Sequence, residues 1–570
     1  MEKNIYNLDE LHNIELLETK LDEDGKKIAN FKLSSPGGTP AIIYTEPALA
    51  IPVVFIPGIM GSPLISKKAS EVSALGYKWA WFPDSLKWIG GTMPRAIGLW
   101  PFGFSNLSPK SKERMLRVEN TRIPLPSEAD FLGVEDLSYD TKKFIYDNLS
   151  EYKRRGWGSV VLGDNGYGDI LVYLEKTLNS VYLHGSISDE WKGIKDEIRK
   201  FLNEDNNFIQ HYEKNKKYFS VEEIENMGCR RFPVYAAGYN WLESNEVSAK
   251  KIASEIECIL DDCKNRLSLK CEKVILVTHS MGGLVGRMCA KKYSEKIMGV
   301  VHGVQPINGA GSAYHRVVAG WDFDGGAGWV IGDGAEHLTP IFANPGPLQL
   351  LPNKLYGRNW LNIKRVGGVN RTVLSLPKKN PYKEIYMNTS SWWRVVDIDL
   401  IKPGGDRKVS EAFYSNNISE AELFHDDIEG YFHKETYVHY GKGSGKNKTW
   451  YSIDIQVQSY FWGDDYSDDD LINSKMISRY GFSSNSAIIS KSSLADWLAD
   501  CREVTLSEKD DKGDGTVPVS SMHLDEHSNV KAFTVIQDIG HASEYNYKNS
   551  RVVALYGICK IVNSYDKGEA

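Results

Sequence analysis

Cysteine is scarce: seven in 570 residues, scattered, with no C-x-x-C pair. So sparse and odd a set argues against a disulfide framework and for synthesis in a reducing compartment. No run of about 18 apolar residues occurs, so no membrane-spanning helix is expected. The opening stretch MEKNIYNLDELHNIELLETKLDEDGKK is charged and lacks an apolar segment. No Sec-type signal peptide is therefore expected, and action outside the cytoplasm would need another export route. Long basic runs are absent and the formal net charge is -7, which speaks against a nucleic-acid partner. No internal repeat is visible. Aromatic residues, by contrast, are plentiful, with 15 Trp and 30 Tyr. Such rings suit binding clefts and lipid–water boundaries, and equally a large aromatic-rich core.

The stretch KVILVTHSMGGLVGR, residues 273–287, is the most informative in the chain. Val274, Ile275, Leu276 and Val277 form an apolar run that stops at Thr278-His279-Ser280-Met281-Gly282-Gly283. A helix-compatible segment follows. The pattern predicts a buried strand, a sharp turn carrying one serine, and a helix start. Helix amides behind such a serine can face a developing anion. The match to G-x-S-x-G is partial, because Thr278 stands at the first glycine. A Gly-rich turn that binds nothing is the plain alternative. A phosphate loop fits poorly, since no Lys follows in the G-K-[ST] arrangement.

Strands are predicted at 41–45, 51–56, 232–236, 300–304 and 532–536, with a helix over 244–267 whose Ile252, Ile256, Ile259 and Leu260 share a face. Strand and helix alternate, the signature of a parallel, doubly wound α/β sheet. A further strand is possible at 456–462, and Lys442 to Lys448 reads as a flexible loop. The expected organisation is a peripheral segment at 1–40 and an α/β core from 41–69, 230–306 and 450–570. Two large insertions, 70–229 and 307–449, would form a cap or lid.

A serine hydroxyl needs a base within hydrogen-bond reach, and the base needs an orienting acid. Downstream of Ser280, Asp514 sits in Gly513-Asp514-Gly515-Thr516-Val517-Pro518, where glycines let a carboxylate project from a strand end. His541 follows the strand at 532–536. Both fall where ligands bind in open α/β sheets. Asp510, Asp511 and Asp538 are rival acids; His523 and His527 are rival bases on a polar loop. His279 is expected to point away from Ser280 and to pack behind it. An oxyanion would meet the backbone N–H of Met281 and a second amide, that of Met60 or Ile59, from the glycine-bearing loop Pro57-Gly58-Ile59-Met60-Gly61. The plain alternative for that loop is a strand-terminating turn. No cofactor is expected. Asp464, Asp465, Asp468, Asp469 and Asp470 could offer oxygens to Ca²⁺, but EF-hand spacing is absent and a solvated acidic loop is the simpler reading.

Taken together, these motifs resemble the α/β-hydrolase branch of lecithin:cholesterol acyltransferases and GPI-inositol deacylases. The carriers are Phe55 through Ser62, Gly238-Tyr239-Asn240-Trp241, His279-Ser280-Met281-Gly282-Gly283, the Asp514 turn, and Gly540-His541. A closer resemblance is to antibacterial lipase effectors of type VI secretion, in particular their fourth lipase family. It rests on Val301 through Pro306, Gly309 through Arg316, Pro345 through Asn353 with Tyr356-Gly357, and Arg155-Gly156-Trp157-Gly158. The resemblance implies a phospholipase A1 or A2 with Ser280, Asp514 and His541 as triad and Met60 and Met281 as oxyanion donors. It further implies a phospholipid substrate at a membrane surface, a spike or adaptor protein, delivery into a competitor's periplasm, and a cognate immunity protein. Asn240 replaces an aspartate usual in the acyltransferases, which puts acyl transfer in doubt. A soluble carboxylesterase, a glycolipid deacylase and a non-enzymatic scaffold on the same fold are the alternatives.

Overall fold

A computed structural model describes residues 19–21, 27–29, 47–67, 79–82 and 107–568. Within the last range, 132, 164–165, 184–185, 204–207, 214–217, 321–333, 368–369, 459–465, 480–485, 492–499, 523 and 525–528 are not described. The strand expected at 41–45, Asp464, Asp465, His523 and His527 therefore lie outside the described residues.

The main sheet is built from β1 (Val53–Ile56), β2 (Ile209–Glu213), β3 (Val234–Ala236), β4 (Val274–His279), β5 (Ile297–Gly303), β6 (Thr436–Thr449), β7 (Asp511–Gly513) and β8 (Ala532–Gln537). Its order is β3-β1-β4-β5-β6-β8-β2, with β7 on β6. The first five contacts are parallel, while β2 and β7 pair antiparallel. Apolar runs such as VVFI and VILV form central strands because both faces need cover. Alternation then divides the side chains: Val54, Ile56, Val274 and Leu276 join one core, and Val53, Phe55, Ile275 and Val277 the other. Helices α1 (Asn245–Asp261) and α2 (Gly282–Lys292) contribute Ile252, Ile256, Leu284 and Val285 to the first. Helix α4 (Lys548–Asp566), which follows α3 (Arg407–Ile428), brings Val552 and Ile558 to the second. This is the expected mixed α/β architecture, with a mostly parallel central sheet and helices on both faces.

The strand map differs from the sequence reading in several places. Residues 442–448, expected to be a loop, continue β6, because Lys448 and Thr449 pair with Lys512 and Asp511. The strands Ile453–Gln458, Lys475–Ser478, Ser486–Ser490 and Cys501–Leu506, in a stretch expected within the core, instead join a second, six-stranded mixed sheet. There Ile453–Gln458 lies between Leu361–Val366 and Cys501–Leu506. Edge strand β2 and central strand β6 both come from the segments expected to be insertions, 70–229 and 307–449, because each pairs with a core strand. Trp79, Trp81, Trp157, Trp191, Trp241, Trp360, Trp392 and Trp393 are all buried, so much of the tryptophan serves the core.

Candidate active site

Three strand ends meet at one rim. Ser280 follows β4, has φ +52°, and sits where its N–H bonds to Gly303 O at 2.9 Å and its C=O accepts from Gly283 N at 2.8 Å. A positive φ on a non-glycine residue is uncommon, and here the turn holds it. Thr278 stays in the strand; its Oγ1 meets His302 Nδ1 at 2.8 Å. His541 follows β8. Its Nε2 lies 2.7 Å from Ser280 Oγ, and its Nδ1 lies 2.8 Å from Asp514 Oδ2. The other carboxylate oxygen of Asp514 accepts from Thr516 N at 3.0 Å and Val517 N at 2.8 Å. His541 N also bonds to Asp514 O at 2.8 Å, so acid and base are tied by main chain as well. The approach depends on Gly441 of β6, where a Cβ would lie 2.9 Å from that of Asp514.

Two of the rival acids are engaged elsewhere and the third faces solvent. Asp510 accepts from Tyr451 N and Ser452 N, Asp511 from Ser520 Oγ, and Asp538 is exposed. His279 packs behind the serine as expected. Its Nε2 donates to His541 O at 2.8 Å, which leaves Nδ1 to accept from Tyr167 Oη at 3.0 Å. Tyr167 in turn accepts from Gly58 N at 3.0 Å. Burial, reinforced by the neighbouring His541, pulls His279 down to about 3. The imidazole is therefore neutral at pH 7 and acts as a fixed link between the 57–61 loop and the chain at His541.

That loop lies against the serine turn. A Cβ on Gly58 would come within 3.0 Å of Ser280 Cβ, and one on Gly282 within 2.3 Å of Pro57 O. Met60 has φ +63°, and its carbonyl accepts from Trp81 Nε1 at 2.8 Å. Met281 precedes α2, and Ser280 itself is only 4% exposed.

No protein-family model matches the chain, and no curated protein matches it. Among solved structures it is similar to a chain of "The crystal structure of Tle4-Tli4 complex". The TM-score is 0.68 and the identity 25%, over 90% of this chain and 99% of that one. The chain is a structural relative of Tle4. The relationship supports the resemblance to type VI secretion lipase effectors carried by the motifs.

Several of those motifs hold the Tle4-like fold together rather than touching the serine. Trp241 Nε1 and Tyr239 N bond to Ser62 O and Oγ, at 3.3 and 3.2 Å, and so anchor the loop that contains Met60. Arg155, 1% exposed, binds Glu151 at 2.6 Å and Glu175 at 2.9 Å, while Trp157 Nε1 bonds to Val234 O of β3 at 2.9 Å. Gln349 Oε1 accepts from Asn245 N at the start of α1, at 2.8 Å. Ser312 Oγ donates to Thr516 O at 2.6 Å, beside the Asp514 turn.

Two residues near the site escape a sequence reading. Tyr167 is one. Glu544 is the other: fully buried, it bonds to His439 Nε2, and burial raises its carboxyl above the usual range. Neither lies in a motif, and a Glu three residues after His541 gives no sign of burial. Among the described residues, no cluster of three or more His, Cys, Asp or Glu is placed to hold a metal ion. Asp468 instead pairs with Arg365 at 3.0 Å and with Arg371 at 2.5 Å, and Asp470 caps Ser467. No described helix is long and apolar enough to cross a membrane.

Proposed function

We propose that the protein is a serine-dependent lipase that cleaves acyl esters of glycerophospholipids, an antibacterial effector delivered by type VI secretion. The observation that carries this reading is His541 bridging Ser280 Oγ and Asp514 Oδ2 at 2.7 and 2.8 Å. In this scheme Ser280 attacks the ester carbonyl and His541 Nε2 takes its proton. Asp514 holds the imidazole through Nδ1–H and stabilises the cation that forms. The amides of Met281 and Met60 receive the oxyanion, each worth about 3 kcal/mol in the transition state. His541 then protonates the leaving alkoxide, and water releases the acyl group from Ser280. The chemistry uses no cofactor.

The parts of segments 70–229 and 307–449 that lie outside the main sheet, which takes β2 and β6 from them, act as the cap. With Ser280 at 4% exposure, a lipid reaches it only when part of its cover moves. Acyl chains bind the apolar underside of that cap, where each methylene contributes about 0.8 kcal/mol, so long chains are preferred over acetate. A cognate immunity protein silences the enzyme in the producing cell, in keeping with the Tle4-Tli4 pairing of the structural relative. A spike or adaptor protein carries it into the target periplasm.

The test incubates purified protein with defined diacyl phospholipids and identifies the products by mass spectrometry. Lysophospholipid and free fatty acid should appear, and Ser280→Ala should lower the rate by at least ~10³-fold. Equal rates in the two proteins would assign hydrolysis to another nucleophile. A chain-length series peaking at acetyl or butyryl esters would make the protein a soluble carboxylesterase.

A further inference from the structure

The far end of β6 carries an unusual charge arrangement. Lys448 on β6 and Lys512 on β7 are direct cross-strand partners in an antiparallel pair. Like charges opposite each other destabilise a sheet. Lys446 is exposed on the same arm, and Lys442, half-buried, lies on β6 where it leaves the sheet. None of the four has a hydrogen-bonding or ion-pair partner for its ammonium group among the described residues. Asp510 and Asp511 accept from Ser452 and Ser520 and keep their charge, but neither they nor the exposed Asp538 form an ion pair with these lysines. This basic edge stands on a chain of net charge -7.

The arm also borders the triad. Gly515 N bonds to Asn447 O at 2.9 Å, placing Lys446 and Lys448 either side of the residue that holds the Asp514 turn. Along the same rim, Lys442 pairs with Gln537 of β8, and Gln537 N bonds to Phe208 O at 2.8 Å. Phe208 is 66% exposed. Four lysines without ion-pair partners and a phenylalanine that is 66% exposed thus lie on strands and turns at the edge from which His541 and Asp514 project. Basic groups attract anionic headgroups, and an exposed aromatic ring enters the interfacial layer.

We propose that this edge, Lys442, Lys446, Lys448 and Lys512 with Phe208, seats the protein on an anionic bilayer with the triad rim toward the lipid. The proposal rests on the lipase reading above. An acidic partner protein is the competing occupant, and the test separates the two.

Vesicle co-sedimentation is measured with the Ser280→Ala protein, so that the result does not depend on ester cleavage. Phosphatidylglycerol-containing vesicles should bind it, salt should weaken the binding, and pure phosphatidylcholine vesicles should bind it less. Lys446→Glu with Lys448→Glu should lower the affinity on the order of 10-fold or more, and Phe208→Ser should lower it further. Arg at 446 and 448 should retain it. Lys448→Glu also removes the like-charge pair, so the thermal midpoint should rise while membrane affinity falls. A purely structural role would move both downward. Equal binding to neutral and anionic vesicles, or undiminished binding by the charge-reversed protein, overturns the proposal and leaves an acidic protein as the occupant. Absence of phospholipid turnover in the wild type would instead sink the lipase reading, whatever the vesicles show.

Discussion

Thr278 stands where a nucleophile elbow usually carries glycine, and its methyl finds room because a glycine occurs on the helix instead. A Cβ on Gly286 of α2 would lie 2.9 Å from Thr278 Cγ2. Strand and helix thus divide one space between a threonine and a glycine, while Thr278 Oγ1 keeps its bond to His302. Gly286→Ala should overfill that space and destabilise the protein by roughly 1–3 kcal/mol. Thr278→Ser removes the methyl and keeps the hydroxyl, so adding it to Gly286→Ala should recover much of the loss. A double-mutant cycle from denaturant unfolding checks this; simple additivity would mean that the two positions do not share the space.

At the scale of elements, the site depends on how closely α2 meets the loop after β1. Gly282 has Pro57 O within 2.3 Å of where a Cβ would be, and backbone on both sides leaves no flexible side chain to yield. Gly282→Ala should push the 57–61 loop away from Ser280 and cut kcat about 10²-fold, with a smaller effect on Tm. Unchanged kcat would remove this loop from the oxyanion role. Such contacts also show what a sequence can and cannot reveal. β4 was legible because VILV is apolar on both faces and ends at a serine-bearing turn. Asp514 and His541 were legible because glycine-bearing turns follow or flank strand ends. The second half of β6 was not: Lys442 to Lys448 has loop composition, and only pairing with β7, some sixty residues on, extends it. IQHYE of β2 alternates weakly, and its place on the sheet edge is settled by packing against β8. Tyr167 and Glu544 act through burial, which local sequence does not encode.

Across the whole molecule, neutral imidazoles are built into both cores, and this sets how the protein meets acid. Burial lowers His279 to about 3, His425 and His433 to about 4, and His302 well below its ordinary value. In the unfolded chain all four titrate near ~6.5. Between about pH 6.5 and 4 the unfolded state therefore binds more protons than the native one, and stability falls as pH falls. The contribution is complete above the unfolded value and is lost progressively below it. Each such group steepens the fall by up to about 1.4 kcal/mol per pH unit, against a total stability of only ~5–15 kcal/mol. Glu544 works in the opposite sense, since its raised pKa favours folding at low pH and that contribution disappears as pH rises through the folded value. Glu255, also raised by desolvation, acts in the same direction as Glu544, but two such groups do not offset four. Depressed carboxylates such as Glu151 and Asp262 lose their contribution only nearer the ordinary carboxylate range, so they add to the loss at its acid end. Tm measured from pH 7.5 to 5 should be flat at the upper end and drop steeply below about pH 6.5. Activity should be lost with it, because His279 links the 57–61 loop to His541. A Tm that holds level down to pH 5 would mean that these imidazoles gain protons within the fold, and that the rigid neutral link behind Ser280 is not maintained.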